Sequence, residues 1–247
     1  MTRLDSVEMD SMENYIIDAR GISASYGKHV VLREVGLRVK PGEIVGVCGH
    51  NGAGKTTLLK SLFRIHEIDE GTITFKGESI TDSNATKMAA SGMSFTPSEK
   101  PLFRDLTVME NLLLGAHTVK DRTVIGQRVE EVIDIFPILR ERLAQFAGRL
   151  SGGQQRQLSL GMALMVQPSL MLLDEPSLGI SPTVVTKTFE TIRDLARQRG
   201  MSVLIIEQNV KAMVSIADRV YVLRHGEIVL EESGDEARAR TDWWQLF

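Results

Sequence analysis

The spacing of apolar residues changes along this chain, and each change predicts an element. Stretches 15–20 and 30–39 are rich in β-formers, and Leu32, Leu37 and Val39 are spaced for a half-buried strand. Pro41-Gly42 then turns the chain into the unbroken apolar run 43–48. Apolar positions at helical spacing predict a helix over 56–65, and 72–80 alternates around a hairpin turn at Gly77. From 84 to about 150 the pattern is mainly helical, with Thr107 as an N-cap for a helix over 108–117 and Pro137 opening a shorter one. This block reads as an inserted helical subdomain. Helix 152–166, strand 170–173, helix 182–199, strand 202–206 and a hairpin around His225-Gly226 follow. Short, fully apolar strands alternating with helices predict a buried parallel sheet, hence an α/β fold.

Composition narrows the class. The 247 residues suffice for a full core, and a formal charge of -3 gives no overall basic surface, so nucleic acid is not an expected partner. One cysteine, Cys48, rules out an intrachain disulfide and fits a reducing compartment; it reads as a packing residue whose nearness to Gly49 still makes it a candidate site of inactivation by thiol reagents. No apolar stretch reaches the ~18 residues that cross a bilayer; the most suggestive, 158–173, is broken by Gln167, Pro168 and Ser169. Residues 1–13 lack a basic start and an apolar segment, so a flexible tail and a cytoplasmic location are expected.

The chemistry concentrates between 49 and 57. Gly49-His50-Asn51-Gly52-Ala53-Gly54-Lys55-Thr56-Thr57 follows an apolar strand and opens a helix, the context of a phosphate-binding loop. Glycines let the backbone curl so that successive N–H groups and the positive end of the helix face phosphate oxygens. Lys55 then reaches the β- and γ-phosphates of a nucleoside triphosphate and the Thr56 hydroxyl ligates Mg²⁺. Asp174 and Glu175 end a buried apolar strand, where Asp174 holds Mg²⁺ through water and Glu175 orients or deprotonates the attacking water. A second anion site is legible at Ser151-Gly152-Gly153-Gln154, a capped and glycine-rich helix start.

The three strings 49–57, 150–154 and 170–175, in this order, resemble the ATP-binding-cassette family over about 15–231. The resemblance implies the P-loop cassette ATPase fold: a mixed core sheet, an antiparallel β-subdomain and the inserted helical subdomain at 84–150, together one domain over 14–233, followed by an extension at 234–247. It implies a head-to-tail dimer, with itself or a homologous subunit, in which Ser151-Gly152-Gly153 closes over ATP held by the other subunit's phosphate loop. Tyr26 matches the aromatic that stacks on adenine, and Gln208 stands at the switch position that is usually histidine. Where most members carry a metal-binding glutamine this chain has Ser98, with Glu99 beside it; either group, or neither, takes over the metal. Met162 replaces an arginine of the helix after the signature.

Segments 175–182, 206–210 and 106–108 most resemble the ATPase subunits of branched-chain amino-acid importers, with urea and amide importers similar. The implied partners are membrane permease subunits, docked near 98–106 at the inner face of the cell membrane, and indirectly an extracytoplasmic solute-binding protein. The rival expectations are a slow nucleotide-binding assembly module and a soluble cassette ATPase. At the chain's end, Trp243, Trp244, Leu246 and Phe247 read as a docked helix or as contact area for a partner.

Overall fold

A computed structural model describes residues 14–99 and 101–243. The expected tail at 1–13 and the cluster 244–247 lie outside the described residues. In chain order the elements begin with β1 (Ile17–Tyr26), β2 (His29–Val39), β3 (Ile44–Cys48), α1 (Lys55–Leu62), β4 (Glu70–Phe75) and β5 (Glu78–Ser79). α2 (Ala85–Ala90), β6 (Met93–Thr96), α3 (Val108–Gly115), α4 (Arg122–Ile135), α5 (Pro137–Arg140), α6 (Gly152–Leu164) and β7 (Leu170–Asp174) follow. The chain closes with α7 (Pro182–Arg199), β8 (Ser202–Glu207), α8 (Val210–Val214), β9 (Arg219–Arg224), β10 (Glu227–Ser233) and α9 (Gly234–Ala239).

Two sheets form: a four-stranded antiparallel one ordered β2-β1-β4-β5 and a six-stranded one ordered β10-β9-β3-β8-β7-β6. In the larger sheet β9, β3, β8, β7 and β6 run parallel and β10 adds an antiparallel edge. The inner strands are apolar without alternation because both faces are covered. Ile44, Met171, Leu173, Val203 and Ile205 pack on the helical side. Their neighbours Val45, Leu170, Leu172, Leu204 and Ile206 pack on the side of α1 and the antiparallel sheet. Strand pleating thus divides one apolar sequence between two cores.

The expected mainly helical block at 84–150 needs a correction, because it contains β6, paired in parallel with β7. Four residues are too few to show a period, and Met93-Ser94-Phe95-Thr96 carries no unbroken apolar run. β1 also runs on to Tyr26, through register shifts where Gly21 takes φ 60°. Helix α1 ends at Leu62, three residues short of expectation, and Arg64 adopts a left-handed φ of 61°. α8 and α9 were not expected; α9 docks through buried Ala237, and Arg238 donates to the carbonyls of Val214 and Ala217. Trp243 packs against the helical-side core with the Arg240 guanidinium over its ring.

Candidate nucleotide-binding site

Strands β3, β7 and β8 are adjacent and parallel, so their C-terminal ends bring 48–55, 174–175 and 207–208 to one edge of the sheet. This is where an α/β sheet presents ligand-binding loops. The loop 49–54 approaches its surroundings too closely for side chains at two points. A Cβ on Gly49 would strike the Leu223 carbonyl, and one on Gly54 would meet Leu32 Cδ2 at 2.8 Å with φ at 103°. Gly54 caps α1 without a side-chain hydrogen bond, so its N–H groups and positive end are directed at the loop's hollow.

Lys55 is buried, and its Nζ donates to the carbonyls of Gly49 (2.8 Å) and His50 (3.0 Å) while standing 3.8 Å from Glu175 Oε1. Burial pulls its pKa down and the charges of Glu175 and Asp174 push it back. The His50 and Asn51 side chains are exposed, whereas Ala53 and Thr57 are buried. Thr56 Oγ1 donates to Asp174 at 3.1–3.2 Å, and Ser98 Oγ donates to Asp174 Oδ2 at 3.1 Å. Burial raises the Asp174 pKa, against the pull of these two hydroxyls. Glu99 is exposed.

Two hydroxyls around one buried carboxylate form an all-oxygen donor set suited to Mg²⁺. Among the described residues no three His, Cys, Asp or Glu side chains gather, so the protein offers a partial shell that phosphate oxygens and water would complete. Glu175 takes a left-handed φ of 47°, and Gln208 Nε2 donates to its Oε1 at 2.6 Å. A non-glycine residue held there is strained and fixed by its neighbours. Tyr26 is half exposed and stacks on His66, with ring centroids 4.3 Å apart. This offers a flat aromatic surface at the end of β1.

The second glycine-rich segment opens α6. Ser151 caps α6 in a capping box with Gln154. Gly152 packs beside the Gly179 carbonyl and Gly153 beside Val184; a Cβ would come within 3.0 and 3.1 Å of them. Ser151 and Gly152 are exposed. Cys48 is fully buried, with burial pushing its pKa up to about 12, so the expected sensitivity to thiol reagents has no accessible thiolate to act on.

Four participants escaped the sequence reading. His66, the partner of Tyr26, is one of five scattered histidines and carries no motif. Glu207 is buried and accepts hydrogen bonds from Ser177 and the switch loop. Arg156 is buried on α6, its pKa lowered by burial and raised by the fields of Glu207, Asp174 and Glu175. Asn111 is buried on α3, pairing with the main chain of Phe103 and donating to the carbonyls of Leu106 and Thr107. A polar residue inside the apolar run of α3 was the available signal for Asn111.

A model of the ABC transporter family matches residues 32–178. That stretch holds the phosphate loop, Ser151 to Gln154, Asp174 and Glu175, but neither Tyr26 nor Gln208. The high-affinity branched-chain amino acid transport ATP-binding protein BraG of Pseudomonas aeruginosa is 41% identical over 86% of this chain and 91% of its own length. The lipopolysaccharide export system ATP-binding protein LptB of Haemophilus influenzae is 37% identical over 87% and 89%. Among solved structures, the ADP conformation of an ATP-binding cassette of an ABC transporter superposes with a TM-score of 0.84 at 26% identity, over 94% of this chain and 98% of that one.

Proposed function

The chain belongs to the ABC transporter ATPase family, and from that premise we propose that it hydrolyses ATP to drive a membrane importer of branched-chain amino acids or a similar small polar solute. The observation that carries the ATPase chemistry is the meeting of Lys55, Thr56, Ser98, Asp174, Glu175 and Gln208 at one sheet edge. Lys55 and the N–H groups of the loop hold the β- and γ-phosphates, and Tyr26 supports the adenine ring. Thr56, Asp174 and Ser98 hold Mg²⁺, which when bound neutralises charge developing on the phosphates. Glu175 orients and deprotonates the attacking water, and Gln208 holds that carboxylate in place and donates toward the γ-phosphate. An amide cannot titrate, so Gln208 acts as a hydrogen-bond donor at every pH.

Two chains assemble head to tail, the Ser151-Gly152-Gly153 segment of one, exposed at Ser151 and Gly152, closing on the nucleotide held by the other. The exposure of that segment supports this reading. Among the described residues no helix is long and apolar enough to cross a membrane, so transport requires membrane subunits. Their docking surface is the groove lined by Phe95, Pro97, Pro101, Leu114 and Met162, beside exposed Phe103. The branched-chain solute rests on the likeness to BraG.

Mg²⁺-dependent phosphate release by the purified chain, compared with Glu175→Gln while light scattering follows mass, tests the ATPase reading. Turnover that Glu175→Gln abolishes while trapping an ATP-bound dimer is expected; equal turnover in both would overturn it. Uptake of labelled leucine by cells with and without the chain tests the solute.

A further inference from the structure

Glu207 lies at the C-terminal end of β8, fully buried, and its carboxylate is saturated with donors from two loops. Oε1 accepts the Ser177 N–H at 2.7 Å. Oε2 accepts the Ser177 hydroxyl at 2.8 Å and the N–H groups of Gln208 and Asn209 at 3.1 and 3.2 Å. Burying a carboxylate is costly unless such bonds offset it. Ser177 stands two residues beyond Glu175, and Gln208 donates to Glu175 at 2.6 Å. The bonds therefore close a ring: from Glu175 through Gln208 to Glu207, across to Ser177, and back along the chain through Pro176. The Glu175 N–H is further tied to the Ile206 carbonyl at 2.8 Å. That ring includes the left-handed backbone of Glu175.

We propose that Glu207 is a positioning residue for hydrolysis, tying the loop after Glu175 to the switch loop so that Glu175 and Gln208 keep one mutual geometry. The inference rests on the ATPase reading and adds to it a residue that touches neither nucleotide nor metal. A fastener of two loops that present the water-activating carboxylate must act on the chemical step and leave the phosphate loop's grip on nucleotide unchanged. It also makes Ser177 the donating end of the tie, so the two residues act as a unit and their effects do not add.

Glu207→Gln keeps the side chain's size but offers a donor where one oxygen now accepts, so one of the two loops loses its hold. The test is kcat, the KM for ATP, the Kd for a non-hydrolysable ATP analogue and the melting temperature of the unmodified chain, Glu207→Gln, Ser177→Ala and the double variant. Glu207→Gln should lower kcat about tenfold or more with analogue affinity within about twofold, Ser177→Ala should lower kcat about threefold, and the double variant should be no worse than Glu207→Gln alone. Ser177, only half buried, keeps the test open should the glutamine variant fold poorly. Parental kcat in a folded Glu207→Gln or Ser177→Ala overturns the proposal, as does a loss confined to melting temperature or to analogue binding. Failure of the ATPase reading looks different: the unmodified chain and Glu175→Gln would then release phosphate equally.

Discussion

Two helices of this chain begin in glycine-rich turns, and their starts are built in opposite ways. At α1 the cap is Gly54, with no side-chain hydrogen bond, and the buried Lys55 folds back over the loop. At α6 the cap is Ser151, whose hydroxyl and whose partner Gln154 complete a capping box, and the turn is exposed. The first start keeps its N–H groups for a ligand inside a hollow made by its own chain. The second satisfies part of its own terminus and is exposed at Ser151 and Gly152, as the proposed head-to-tail pairing requires. Two helix starts alike in sequence thus differ in capping and exposure.

Substitutions at the two starts should separate them. Lys55→Ala is expected to have the largest effect, lowering both ATP affinity and turnover, the latter by about 100-fold or more, since the charge aimed at the phosphates is gone; nucleotide titration and phosphate release measure it. Ser151→Arg should lower turnover by about 10- to 100-fold while leaving the single chain's ATP affinity unchanged, because on the proposed head-to-tail reading the surface it alters, along with the α6 cap, serves another chain's site. Loss of affinity in the Ser151 variant would erase the distinction.

Smaller changes sharpen the first site. Ser98→Ala should raise the Mg²⁺ concentration for half-maximal turnover by about tenfold, the range for losing a side chain that orients a metal ligand. Asp174→Asn should raise the melting temperature at neutral pH, because it removes a charge that burial disfavours. The sign follows from burial: the folded Asp174 pKa lies above its unfolded value, so its contribution to stability is fully present below the unfolded pKa and is lost as pH rises through the folded one. The gap between variant and parent should accordingly narrow toward pH 4, as calorimetry across that range would show.

What the sequence disclosed follows the same division. The α/β class, the buried parallel strands and the phosphate loop were legible because each is a local pattern: an unbroken apolar run, a turn, a fixed spacing of Gly, Lys and Thr. Strand β6 was not, because four residues carry no period. The donors around Glu207, the Tyr26 and His66 stack and the Ser98 contact with Asp174 depend on chain crossings of 30, 40 and 76 residues that local pattern does not encode. The sequence leaves Ser98, Glu99 or neither as the stand-in for a missing glutamine; of the two side chains, the Ser98 hydroxyl bonds Asp174 while Glu99 is exposed.

The claim that one chain carries two half-sites is tested most directly by mixing two inactive variants. Lys55→Ala retains the α6 start and Ser151→Arg retains the α1 loop, so a pair of unlike chains contains one complete site. Phosphate release should be low for each variant alone and recover on mixing, rising with the fraction of mixed pairs. Parental turnover by Ser151→Arg alone would contradict the account, since its nucleotide site would then be complete within a single chain.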